Sequence, residues 1–109
     1  MSATSVIANG TLDASGQGVA QTVFVSGAVS GGGAFTSGDG NVDINGNVTV
    51  SDFTASSGQT NLAGGTVTFT TFANNGGTLV FDRAGTTNLS SSNAYNVVTA
   101  AAGATVALQ

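Results

Sequence analysis

The sequence predicts one all-β domain over residues 1–109: a single-stranded parallel β-solenoid, or right-handed β-helix, of about six coils of 17–20 residues. Three observations predict it. The composition disfavours helices, short runs alternate apolar and polar residues, and three residue columns recur in a common register.

Of 109 residues, 17 are Gly, 12 Ser, 16 Thr and 10 Asn, and none is Pro. Gly costs a helix about 1 kcal/mol per position relative to Ala, and Ser, Thr and Asn compete with helical hydrogen bonding. The apolar residues are largely Val and Phe, which suit a pleated, half-buried surface. Without Pro, no backbone donor is missing from a ladder.

Divided at its repeats, the chain runs VIANGTLDASGQGVAQT, VFVSGAVSGGGAFTSGDGN, VDINGNVTVSDFTASSGQT, NLAGGTVTFTTFANNGGT, LVFDRAGTTNLSSSNAYN and the partial VVTAAAGATVALQ. The first column is Gly10, Gly27, Gly46, Gly65, Gly85 and Gly103, at spacings of 17, 19, 19, 20 and 18. Each sits between apolar stretches where the chain must turn, and Gly adopts φ > 0 at little steric cost. The second column is the apolar residue after that corner: Leu12, Val29, Val48, Val67, Leu89 and Val106. The third is Phe35, Phe53 and Phe72. Between corners, Val42-Asp43-Ile44, Val48-Thr49-Val50 and Val67-Thr68-Phe69 alternate with period two, so apolar side chains face one way and polar ones the other.

Strands this short do not pair stably as isolated hairpins, whereas each can pair with its own copy one coil later. Three strand-and-corner segments per coil give a roughly triangular cross-section. Coils stack about 4.8 Å apart, so six make a rod of about 29 Å. Parallel crossovers wind right-handed by default. An antiparallel sandwich would explain the turn residues but not three columns in one register.

The stretch GGTLVFDRAGTTNLSSSNAYNVVTAAAGATVAL, from Gly76 to Leu108, resembles the autotransporter-associated β-strand repeat of bacterial passenger domains, related to haemagglutinin-like β-helices. Its opening Gly-Gly-Thr-Leu-Val-Phe, the following Asp82-Arg83 and the closing Gly103-Ala104-Thr105-Val106-Ala107-Leu108 carry the resemblance, over about a third of the chain. The resemblance implies a surface-displayed stalk, often part of an adhesin.

The charged residues number six, five Asp and Arg83, with no Glu, Lys, His or Cys. A net charge of −4 with one cation cannot neutralise a phosphate backbone, which excludes nucleic acid as a partner. No apolar run approaches the roughly 18 residues of a membrane helix, so membrane insertion is not expected, and Met1 to Gly10 carries no secretion signal. The absence of Cys rules out a disulfide scaffold and a thiolate metal site. A neutral, hydroxyl-rich chain is expected outside the cell, at a cell surface or on a virion. Three sequons, at Asn9, Asn47 and Asn88, are close to the chance number and carry no assignment.

No cofactor and no catalytic residue is expected: Ser or Thr nucleophiles have no His or Lys as base, and sugar hydrolases built on Asp clusters are far longer. Asp39, Asn41 and Asp43 have the alternate spacing of a calcium loop, but Ile44 stands where Gly is required and Val50 where the bidentate Glu belongs. Capping of a corner explains them without a metal. Outward Asp13, Ser30, Thr49 and Thr68, with only Thr66, Thr68 and Thr70 as a local array, are too irregular for an ice-binding face. The Asp82-Arg83 pair is expected to serve solubility, since an exposed pair contributes about 0–1 kcal/mol.

The expected function is therefore a non-catalytic repeat module of a surface stalk or adhesin, with a host-surface or glycan ligand. The alternative is a subunit that associates with itself, head to tail or as a trimer, in a fibre or viral appendage. A third reading is an ice or carbohydrate binder. Neither end shows a helix, a Pro or a charge cluster as a cap, which is the ground for expecting self-association.

Overall fold

The computed structural model describes residues 1–17, 21–73, 75–90, 98–100 and 102–108. The chain is an all-β parallel solenoid of about five turns, and every strand pairing among the described residues is parallel.

One sheet stacks six strands: β1 (Ser2–Ala3), β4 (Thr22–Val25), β7 (Asn41–Ile44), β9 (Gln59–Leu62), β11 (Thr78–Phe81) and β13 (Val98–Ala100). The second stacks β2 (Val6–Ile7), β5 (Val29–Ser30), β8 (Val48–Thr54), β10 (Thr66–Ala73), β12 (Gly85–Ser90) and β14 (Ala104–Leu108). Strands β3 (Thr11–Asp13) and β6 (Ala34–Thr36) join its side, β6 pairing with the second half of β8. Coils one and two thus have three separate segments. In coils three and four the second and third segments are one strand, bent where two successive residues face outward: Ser51-Asp52 between buried Val50 and Phe53, and Thr70-Thr71 between buried Phe69 and Phe72. Both Ser51 and Asp52 amides donate to the Gly33 carbonyl, at 3.1 and 3.4 Å, which turns the strand without a break.

The core is built from stacked like residues. Val23, Val42, Thr60 and Leu79 form one inward column of the first sheet, and Val25, Ile44, Leu62 and Phe81 the next. On the second sheet, Val29, Val48, Val67 and Leu89 are buried in register. Phe35 and Phe53 stack with ring centroids 5.2 Å apart, and Phe53 and Phe72 at 6.2 Å, nearly parallel in both pairs. Phe69 reaches them across the bend, 4.8 Å from Phe53 and 5.5 Å from Phe72, tilted by 30°. Burial of each ring is worth about 1.5–3 kcal/mol and each aromatic contact about 0.5–1.5 kcal/mol more, so this cluster is the main apolar anchor of the fold.

The structure corrects the sequence register in four places. The first turn is longer than 17–20 residues: Ser2 pairs with Phe24 and Val6 with Val29, steps of 22 and 23, where later steps are mostly 18 or 19. Hence Val6, not Leu12, heads the Val29 column, and Leu12 instead pairs with Phe35 at the head of the aromatic column. Gly10, between β2 and β3, belongs to a different corner from Gly27, which lies between β4 and β5. At the other end, Leu89 pairs with Leu108 and Thr87 with Val106, so Val106 sits two residues from the expected column.

Glycine serves two physical purposes at the common corner. Gly27, Gly46 and Gly64 are stacked so closely that a methyl on any of them would strike backbone: the Thr4 carbonyl for Gly27, the Gly27 carbonyl for Gly46, the Gly46 carbonyl for Gly64. Gly65, the residue chosen from spacing, is the extra residue of that corner and faces only the Arg83 side chain, 3.6 Å away. Gly85 and Gly103 instead have φ of +112° and +84°, a backbone region that L side chains avoid.

Candidate functional surface

The outward side of the first sheet carries two of the three calcium candidates, Asn41 and Asp43 of β7, with Asp39 in the adjoining corner. Its columns follow from register: Thr22, Asn41, Gln59 and Thr78 form one, and Phe24, Asp43, Asn61 and Val80 the next. Because side chains alternate along each strand, these groups project on the side opposite the Val and Ile core.

Their hydrogen bonds run along and between coils. The Gln59 Nε2 donates to Asn61 Oδ1 at 2.7 Å, and the Gln59 amide donates to Asn41 Oδ1 at 3.4 Å. In the adjoining corner, Ser57 Oγ donates to Asp39 Oδ1 at 3.1 Å. Asp39 and Asn41 thus each accept from the next coil, 18 residues on. Asp43 stands in the next column, half-buried between Phe24 and Asn61. Burial, and then the Asp82 charge, push its carboxyl above the ordinary value. Asp13 shows the reverse: hydrogen bonds from Ser15, including an amide at 2.8 Å, hold it below the ordinary value.

Among the described residues, no three of His, Cys, Asp and Glu gather where they could hold a metal ion. The weak calcium candidates Asp39, Asn41 and Asp43 are divided between corner bonding and a sheet column. The sequence has no His, Lys, Cys or Glu, so no Ser or Thr on this surface has one of these side chains beside it as a base. What it offers is hydroxyls, amides and two neighbouring carboxylates on a regular lattice.

The outward column of the second sheet is Ile7, Ser30, Thr49, Thr68 and Ser90, so only two Thr are stacked directly. The guanidinium of Arg83 donates to the Thr86 carbonyl at 2.8 Å and lies over Gly65 and Gly85. It therefore closes the enlarged corner of the fifth coil. Residues 91–97 and 101, within the segment that resembles passenger domains, lie outside the described residues.

Spacing alone missed several polar groups that organise this surface from within. The Thr60 hydroxyl, fully buried, accepts the Ser56 amide at 3.1 Å. Ser56 Oγ donates to the Gly40 carbonyl and accepts the Gly58 amide at 2.9 Å, tying two coils at the corner. Buried Thr87 Oγ1 donates to the Gly64 carbonyl at 2.8 Å, which satisfies the coil step that carries three extra residues. Ser37 alone among the described buried side chains has a polar atom without a partner. No protein family, curated protein or solved structure matches this chain.

Proposed function

We propose that the chain is a non-catalytic scaffold module of a surface-displayed stalk or adhesin, of the kind that Gly76 to Leu108 resembles. The observation that supports this reading best is the uninterrupted parallel stack, whose outward columns are mostly neutral hydroxyls and amides. Such a stack is quasi-one-dimensional, lengthens by adding coils and presents a repeating polar face without any reacting group. Its extents of 32 × 28 × 26 Å make it nearly as broad as long. Reach therefore depends on coils joined at its ends, from the same polypeptide or from another copy.

The test is topological. Intact cells of the source are treated with an impermeant protease or a specific antibody, since the chain has no Lys side chain to label. Surface accessibility is expected, and confinement to the cytosol would overturn the reading. Beads carrying the chain, offered to host cells and glycan arrays, would then separate adhesin from spacer.

End-to-end or trimeric self-association is a second reading, favoured by the first coil. Strands β1 and β2 terminate their sheets, and strand edges are templates for pairing. Burying about 300 Å² of apolar surface contributes about 7 kcal/mol before association costs. Sedimentation over a wide concentration range and electron microscopy decide it. A monomer at the highest concentration would sink the fibre reading and leave the scaffold reading standing.

A further inference from the structure

Three Asn-Gly dipeptides occur in the sequence, and the fold holds two of them very differently. Asn45 and Asn9 are both exposed, so solvent reaches both side chains. The difference lies in the following glycine. The Gly46 amide donates to the Gly27 carbonyl at 3.0 Å, and Gly46 is wedged between the backbones of Gly27 and Gly64. Gly10 is exposed, no atom lies within 4 Å of the place a methyl would occupy, and its amide makes none of the hydrogen bonds found among the described residues. Only its carbonyl is engaged, accepting the Ala34 amide at 2.8 Å. The third dipeptide, Asn75-Gly76, adjoins residue 74, which lies outside the described residues.

We propose that Asn9 is a site of spontaneous covalent modification, deamidation through a cyclic imide, and that the fold shields Asn45 from the same reaction. The Gly10 nitrogen, after losing its proton to solvent base, attacks Asn9 Cγ. The new N–Cγ bond forms, the Cγ–Nδ2 bond breaks, and ammonia leaves with a proton from water. Water then opens either carbonyl of the five-membered imide, giving an aspartyl or an isoaspartyl link at position 9. The sum is amide plus water to carboxylate plus ammonium, with no oxidant or cofactor. An amide held in the ladder reacts only when that ladder opens, so Gly46 is slow where Gly10 is fast.

The product alters the first coil. An isoaspartyl link lengthens the backbone by one methylene just before β3, which pairs with β6 through Thr11 and Ala34, Leu12 and Phe35, and Asp13 and Thr36. Gly33 packs directly on the Gly10 carbonyl, so no slack exists to absorb the extra atom. Modification also places a new negative charge at that corner. The first coil therefore loosens with age while the coils from Asn41 onward keep their register.

The experiment incubates the purified full chain in mildly alkaline buffer made with isotopically heavy water oxygen, followed by peptide mapping with mass spectrometry. Label at position 9 is expected to accumulate at least about tenfold faster than at position 45 in the folded protein. In denaturant the two rates should converge, since both sites are Asn-Gly. Gly10→Ala, which the open site accommodates, should suppress labelling at position 9 with the melting curve unchanged. Equal rates at the two positions in the folded chain, or a folded ratio that persists in denaturant, would overturn the proposal.

Discussion

Coils three and four carry strands of seven and eight residues, β8 and β10, whereas the first coil is divided into strands of two, two and three. Both regions alternate apolar and polar residues, but they differ in the length of the step and in aromatic content, since the first coil has no Phe and coils three and four hold Phe53, Phe69 and Phe72. The coils that lead into β8 and β10 land 18 or 19 residues after the last, and every inward residue there meets an inward residue; the step from β10 to β12 is 22, its three extra residues held at the corner that Thr87 and Arg83 close. The step out of the first coil is 22 or 23, with the extra length between β3 and β4, and the ladder there is short and half-buried at Val6 and Leu12. Constant step length thus goes with the longest strands, and the column stays in register across a longer step only where the extra residues are held at a corner, as between Val67 and Leu89. Packing density follows register, because a one-residue slip would turn an inward column outward.

Truncation in the two regions is the sharpest way to break this comparison. Phe53 is 1% exposed with three aromatic neighbours, so Phe53→Ala is expected to cost about 3–5 kcal/mol in denaturant unfolding. Leu12→Ala, in the half-buried first coil, should cost less than half of that. Equal losses would mean that the first coil is packed as tightly as the centre.

The corner column gives the next largest effect. Gly46→Ala forces a methyl into the Gly27 backbone and is expected to cost about 3 kcal/mol, whereas Gly65→Ala meets only a flexible Arg83 side chain and should stay within about 0.5 kcal/mol. If thermal melts show Gly65→Ala as the more damaging change, the assignment of Gly64 as the stacked residue is wrong.

Buried hydroxyls make a smaller contrast. Thr60→Val keeps the shape but leaves the Ser56 amide without its acceptor, an expected loss of about 1–3 kcal/mol. Ser37→Ala removes a buried hydroxyl that has no partner and should be neutral or slightly stabilising. Chemical denaturation of both variants checks the pair, and a large loss at Ser37 would reveal a hydrogen bond to water there.

The smallest expected effect concerns pH. With its folded value raised, Asp43 holds a proton more tightly in the folded than in the unfolded chain, so its contribution falls as pH rises from the ordinary 3.8 through the raised value. Asp43→Asn should therefore stabilise slightly at neutral pH, the effect being damped by solvent at this half-buried group, and the gain should vanish below pH 3.8. Asp13 works in the opposite sense, its contribution being present above the ordinary value and lost as pH falls through the lowered one. A stability gain for Asp43→Asn that grows on acidification would contradict the burial and Asp82 repulsion invoked here.

How much of the polar surface was legible in the chain depends on whether a group acts within one coil or between two. Asp39, Asn41 and Asp43 stand out by spacing, yet whether they converge or cap depends on Ser57 and Gln59, 18 residues away and invisible to a local motif. Thr60 and Thr87 look like any other of sixteen Thr until the neighbouring coil is laid beside them.

The all-β class, the parallel stacking and the Phe35, Phe53, Phe72 register can be read from the chain alone, because period-two alternation and an 18- or 19-residue recurrence are properties written along it. Coil-to-coil packing is what wedges Gly64 rather than Gly65, sets Val6 rather than Leu12 at the head of the Val column, puts Gly10 at a different corner, and brings Phe69 into the aromatic stack across a bend. Each of those depends on which residue of one coil lies opposite which residue of the next. That pairing is set by where extra residues bulge out at corners, and a corner's capacity to absorb them is a matter of steric fit between coils.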